Sequence, residues 1–229
     1  MTALSDPRWT SLSHARRDKL LEEYRDVNVD HDWWEHIYEM FTEDCADLGV
    51  HVDEMYFRGF WSQGDGACFD GFVLNWPLFL DHVGVKDQPL LLQMAASDGP
   101  WPGWNFRSKH NGHYYHENSC GFDFEMDDVN VIDEMTDPLR HAAFQVVIDG
   151  IVWEDLYQQF RSAFQDLMRK LYKNLEEEYD YQTDDEQVVD WMLENLSDEE
   201  LADPDEEDEE EETWDGFVPA PVLDSHIEI

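Results

Sequence analysis

Apolar residues recur at three- and four-residue intervals through residues 31–48, where Trp34, Ile37, Tyr38, Phe41, Cys45 and Leu48 share one side. That spacing predicts a helix, with Asp30 as its N-cap and Gly49 at its C′ position. Leu20, Leu21 and Tyr24 predict a helix over residues 12–27. The longest stripe is Trp153, Leu156, Tyr157, Phe160, Phe164, Leu167, Met168, Leu171 and Leu175, which predicts a helix over residues 152–178. The run from Thr183 to Glu186 reads as a capping box. Val188, Val189, Met192 and Leu196 give the helix behind it an apolar side. "NWPLFLDHVG" predicts a short helix with Pro77 in its first turn.

Elsewhere the period falls to two. Met55, Phe57, Gly59 and Trp61 predict one face of a strand over residues 55–61, and residues 67–73 predict its partner. From Tyr114 to Met126 the even positions, which end in Cys120, Phe122, Phe124 and Met126, predict the buried face of a strand, with Asn111-Gly112 before them as a hairpin turn of type I′. Residues 87–103 carry three prolines and read as irregular, with one helical turn around Leu91, and beyond Pro138 the pattern is helical. The fold class expected is α+β, an antiparallel β-meander of about four strands with helices on one face. Residues 1–197 form a single domain in this reading, and residues 198–229 a disordered acidic tail with Trp214, Phe217 and Val218 as an apolar island.

Charge changes the picture most. The net charge is −41, from 55 acidic and 14 basic residues. Residues 198–215 contribute 13 of the negative charges, which leaves −28 on the rest of the chain. A field of that sign repels nucleic acid and anionic membranes and attracts basic protein surfaces. The tail residues Asp205, Glu206, Glu207, Asp208, Glu209, Glu210 and Trp214 are the candidate partner-binding set. Cys45, Cys68 and Cys120 are sparse and fall on apolar faces, which fits reduced, buried thiols in a cytoplasm. The N-terminus carries no apolar signal segment, and no apolar run is long enough to span a membrane.

Candidate chemistry is thin. The loop at residues 62–66 joins two strands, and Gly64, Asp65 and Gly66 suit a turn, but a turn has no need of Gln63. "KHNGHYYHE" offers His110 and His113 as cross-strand neighbours, which are candidate metal ligands short of a full set. The same register pairs Arg107 with His116 and Asn105 with Asn118. Gln63, Asp65, Arg107 and His116 are therefore the candidate ligand-binding residues. Arg16, Arg17 and Lys19 form a second basic cluster, able to hold the acidic tail. No nucleophile elbow, catalytic constellation or cofactor motif is present, so no catalytic residue and no cofactor is assigned.

Three blocks, "FRGFWSQGDGACFDG", "GHYYHENS" and "NLEEEYDYQTDDE", resemble a group of uncharacterised bacteriophage and prophage proteins, some of them labelled antitoxin-like. The resemblance implies a phage or mobile-element setting and the cytoplasm of a bacterial host. It brings no catalytic residues, and this chain departs from the group by its acidic tail. The expected function is an acidic protein that binds a basic, nucleic-acid-binding host protein, as DNA mimics and inhibitors do. The alternatives are an antitoxin-like neutraliser, a small-ligand protein or enzyme at Gln63, Asp65, Arg107 and His116, and adaptation to high salt. The last is suggested by Asp over Glu (31 to 24) and Arg over Lys (9 to 5).

Overall fold

The computed structural model describes residues 2–85, 103–127, 142, 146 and 153–202. The expectations for residues 87–102, for the segment after Pro138 and for the tail beyond 202 lie outside the described residues.

The fold is α+β. Strands β1 (Val50–Arg58), β2 (Gly66–Val73), β3 (Gly103–His110) and β4 (Cys120–Asp127) form one antiparallel sheet in the order of the sequence. Helices α1 (Pro7–Thr10), α2 (His14–Tyr24) and α3 (Glu35–Asp47) precede it, and α4 (Trp76–Val83) follows β2. After β4 come α5 (Trp153–Gln182), α6 (Asp185–Asn195) and α7 (Asp198–Leu201). No described helix is long and apolar enough to cross a membrane.

Two apolar clusters hold these elements. The larger lies between the sheet and helices α3, α4 and α5, where Phe41, Phe69, Phe79, Phe106, Phe160 and Phe164 are fully buried. Their rings meet edge to face or offset, as Phe41–Phe69 and Phe106–Phe164 do at 5.6 and 5.1 Å. Each such side chain contributes about 1.5–3 kcal/mol by leaving water. The stripe on α5 is the buried face the periodicity predicts, with Ala163 added to it. All three cysteines are free and buried.

The smaller cluster joins the two ends of the described chain. Trp9 and Leu20 pack against Val188, Val189, Met192, Leu193 and Leu201. Three arginines close the ends of the later helices, whose last carbonyls lack intrahelical partners. Arg8 donates to the Leu193 carbonyl at 3.0 Å, Arg16 to the Leu201 and Glu200 carbonyls, and Arg25 to the Thr183 carbonyl at 2.8 Å. The first residues of the acidic run thus belong to the folded body, since Leu201 is buried.

Several boundaries differ from expectation. The strand expected at 55–61 begins at Val50, kinks at a register shift between Val52 and Glu54, and stops before Gly59. The helix expected from Asp30 starts at Glu35, because residues 27–29 form a separate 3-10 turn that Asp30 closes. Thr183 is not the cap of α6. Asp184 is, accepting from the Glu186 N–H at 2.9 Å, while the Thr183 hydroxyl donates back to the Tyr179 carbonyl. The reciprocal capping box sits instead at Ser197 and Glu200.

The largest correction is in the β3–β4 connection. His110 pairs with Cys120, so residues 111–119 all lie in the loop and Asn111-Gly112 is no two-residue turn. Arg107 pairs with Asp123 and Asn105 with Glu125, not with His116 and Asn118. Local bonds explain the longer loop. The Asn111 N–H donates to the Ser119 carbonyl, residues 117–119 form a 3-10 turn, and Gln165 of α5 donates to the Glu117 carbonyl.

Candidate functional site around the β1–β2 loop

The chain leaves β1 at Gly59 with φ +49° and passes Gly64 at +92°. Between them Trp61 has φ +64°, the one positive value at a non-glycine position among the described residues. Such a conformation costs about 1–3 kcal/mol and persists only where its surroundings impose it. Here they do. The Ser62 N–H donates to the Asp65 carboxylate at 2.7 Å, and the Asp65 N–H to the Ser62 carbonyl at 3.1 Å. Phe60 is held by the rings of Trp33, Phe57, Tyr172 and Tyr179, at 5.0–6.4 Å. The Trp61 ring lies against Tyr179 of α5 at 5.7 Å.

The second wall of the site comes from the β3–β4 loop. A Cβ on Gly64 would lie 2.2 Å from the Tyr114 ring, and one on Gly66 2.5 Å from the Tyr115 carbonyl. These glycines are needed for close approach of the two loops as well as for the turn. Between the loops opens a cleft of about 340 Å³ lined by Arg58, Phe60, Ser62, Gln63, Asp65, His113 and Tyr114.

The sequence-expected set is therefore half assembled. Gln63 and Asp65 line the cleft, and Arg107 and His116 do not. Arg107 lies exposed in mid-strand, opposite Phe72 on one side and Asp123 on the other. His116 abuts Gly66, but its Nδ1 accepts from the Asn118 N–H and meets Glu117 at 2.9 Å, so its ring caps the 3-10 turn. Arg58 and His113 occupy the places expected of Arg107 and His116. The physical cause is the nine-residue loop, which carries His113 towards the β1–β2 loop and leaves Arg107 behind. A cue for Arg58 was legible in Gly59, whose lack of a side chain ends the strand just after the arginine.

His110 is not a neighbour of His113 across a turn. Its ring packs between Tyr56 and Tyr115, at 4.8 and 5.1 Å, and its backbone N–H donates to Asp70 at 2.5 Å. His113 lies against Tyr114. Among the described residues no group of three or more His, Cys, Asp or Glu is placed to hold a metal ion. The candidate partner-binding residues Asp205, Glu206, Glu207, Asp208, Glu209, Glu210 and Trp214 lie outside the described residues.

The surroundings of the loop are aromatic and acidic. Burial, then Glu176 and Asp65, push the Tyr172 hydroxyl above its ordinary value. Burial, then Asp26, does the same at Tyr179, whose hydroxyl donates to Asp26 at 3.4 Å. Burial, then bonds to Glu54 and Asp70, raises Tyr56. Each of these tyrosines stays a neutral donor at physiological pH.

No curated protein and no solved structure matches the chain. A family model described as a domain of unknown function (DUF8835) matches residues 33–80 and 101–185. Those residues carry the sheet, α3 and α5 and nearly all of the larger apolar cluster, whereas every buried member of the smaller cluster falls outside them. The chain belongs to the DUF8835 family, and its described helices before residue 33 and after residue 185 lie outside the matched segments.

Proposed function

We propose that this is an acidic binding protein that occupies the phosphate-binding surface of a basic, nucleic-acid-binding protein of a bacterial host. The observation that carries this reading is the placement of the acids. Asp18, Glu22 and Asp26 follow one another at four-residue spacing along and just past α2. Glu35, Glu39 and Glu43 do so along α3, and Glu186, Asp190 and Glu194 along α6. Four residues of helix rise about 6 Å, so each set is a row of charges on one side of its helix. All three residues of the α3 row are exposed. Like charges at this spacing repel by a few tenths of a kcal/mol per pair, so the rows oppose folding and favour a cationic partner.

The basic residues do little to neutralise them. Arg8 and Arg16 close helix ends, Arg25 closes one and pairs with Asp185, Arg161 lies over the Phe122 ring at 5.8 Å, and Arg169, Lys170 and Lys173 pair with Glu117, Asp44 and Glu177, none of which belongs to the three rows. The resemblance of three sequence blocks to phage and prophage proteins supports a setting of host takeover or counter-defence in the bacterial cytoplasm. Neutralising a basic toxin is the same reading with a different partner.

Affinity capture from bacterial lysate, followed by mass spectrometry, tests this. Nucleic-acid-binding proteins are expected at about 50 mM salt, displaced by duplex DNA and weakened by steep salt dependence. Retention of no such protein at low salt, or binding indifferent to DNA, overturns it.

A further inference from the structure

Trp61 is 71% exposed, more than any other large apolar side chain among the described residues. Tyr114, beyond the 62–65 turn, is 48% exposed. An exposed indole in a left-handed backbone is doubly unfavourable, for solvation and for conformation. Yet the loop is held by three separate means: the Asp65 carboxylate on the Ser62 N–H, the ring cluster around Phe60, and Tyr179 against the indole at 5.7 Å. A side chain so fixed loses little freedom on meeting a partner, which is what an interface anchor needs.

The charge around it selects the partner. Asp26 bonds the Tyr179 hydroxyl, and Asp65 and Glu176 act on Tyr172, so negative charge adjoins the aromatic patch. Arg58, on the cleft side of the loop, is the neighbouring cation. We propose that Trp61 is the anchor that docks a basic protein partner, its indole face taking a Lys or Arg side chain beside Asp26, Asp65 and Glu176. This rests on the acidic-binder reading above and names the point on the surface where that contact is made. Cation–π attraction to an indole supplies the specificity that diffuse charge lacks.

Titration with a deca-arginine peptide at about 20 and about 150 mM salt, followed by calorimetry and by the indole N–H resonances, tests the proposal. Trp61→Gly removes the ring and suits the left-handed backbone, so its melting temperature is expected to stay within a few degrees of the parent. Its affinity at the higher salt is expected to fall roughly threefold to thirtyfold. Trp61→Tyr should recover part of that loss, and the resonance missing in Trp61→Gly should be the one that shifts most. A triple change on α3, E35Q/E39Q/E43Q, should weaken binding at the lower salt more than at the higher. Equal affinity of Trp61→Gly and the parent at both salts overturns the anchor while leaving the acidic reading intact. Absence of binding by the parent at the lower salt overturns the acidic reading itself.

Discussion

At the scale of single residues, the clearest constraints are steric. Gly49 has φ +80°, and a Cβ there would lie 2.2 Å from the Asn75 carbonyl. This glycine lets α3 turn directly into β1 against the start of α4. Gly49→Ala is expected to cost more than about 1 kcal/mol and to lower the melting temperature by at least about 3 °C. A change of under one degree in a calorimetric scan would refute that account. The thiols make a second case. Burial, then Asp44, pushes Cys45 from 9.0 up to about 12. The Cys120 thiol, then burial, raises Cys68 as well. A group with a raised folded value supports folding below its open-chain value and loses that support as pH climbs. Stability should therefore decline from pH 9 towards 12, and iodoacetamide at about pH 8 should label none of the three cysteines before unfolding. Mass spectrometry showing native alkylation would contradict this.

At the scale of elements, caps and pairing decide where the chain turns. Ser197 and Glu200 satisfy each other's backbone N–H groups at the start of α7. Ser197→Ala should cost about 1 kcal/mol, because a cap acceptor is lost from a helix that carries Leu201 into the smaller cluster. The Ser197 N–H and hydroxyl hold Glu200 below its ordinary value of 4.5. A carboxyl lowered in this way contributes above 4.5 and ceases to do so as pH falls through the folded value. Amide exchange in α7 should accelerate in acid for the parent and change less with pH in Glu200→Gln. The smaller cluster allows a further test. Trp9→Ala should expose α2 and α6 to hydrogen exchange while the sheet keeps its protection, since no buried residue is shared between the clusters. Uniform loss of protection would show instead that the two fold as one unit. The stripes on α3 and α5 were legible in the amino-acid pattern because each helix buries one continuous side in the larger cluster, which leaves the period intact. The β3–β4 connection was not legible. Asn111-Gly112 favours a tight turn locally, but bonds at Glu117, Asn118 and Ser119 and the docking of Gln165 win over that preference.

At the scale of the whole molecule, charge works against compactness. With −28 outside the acidic run, added salt should raise the melting temperature over the range in which the screening length shrinks from about 30 to about 10 Å, then matter little. The two apolar clusters should keep the protein folded at about 10 mM salt. Unfolding in dilute buffer, seen by circular dichroism, would favour adaptation to a saline host over a binding role.

The chain by itself determined the α+β class, the four-strand order, the buried faces of the long helices and the acidity of the whole. These follow from periodicity and composition, which neighbours in sequence express without help. Only the tertiary structure decided that Arg58 and His113, not Arg107 and His116, share a cleft with Gln63 and Asp65. Only it showed Trp61 held outward in a left-handed backbone, and α1 and α2 packed with α6 and α7 as one cluster. The reason is physical. A loop's path is set by bonds and ring contacts with residues far away in sequence, and a shift of register by even one residue exchanges the neighbours of every side chain on the strand.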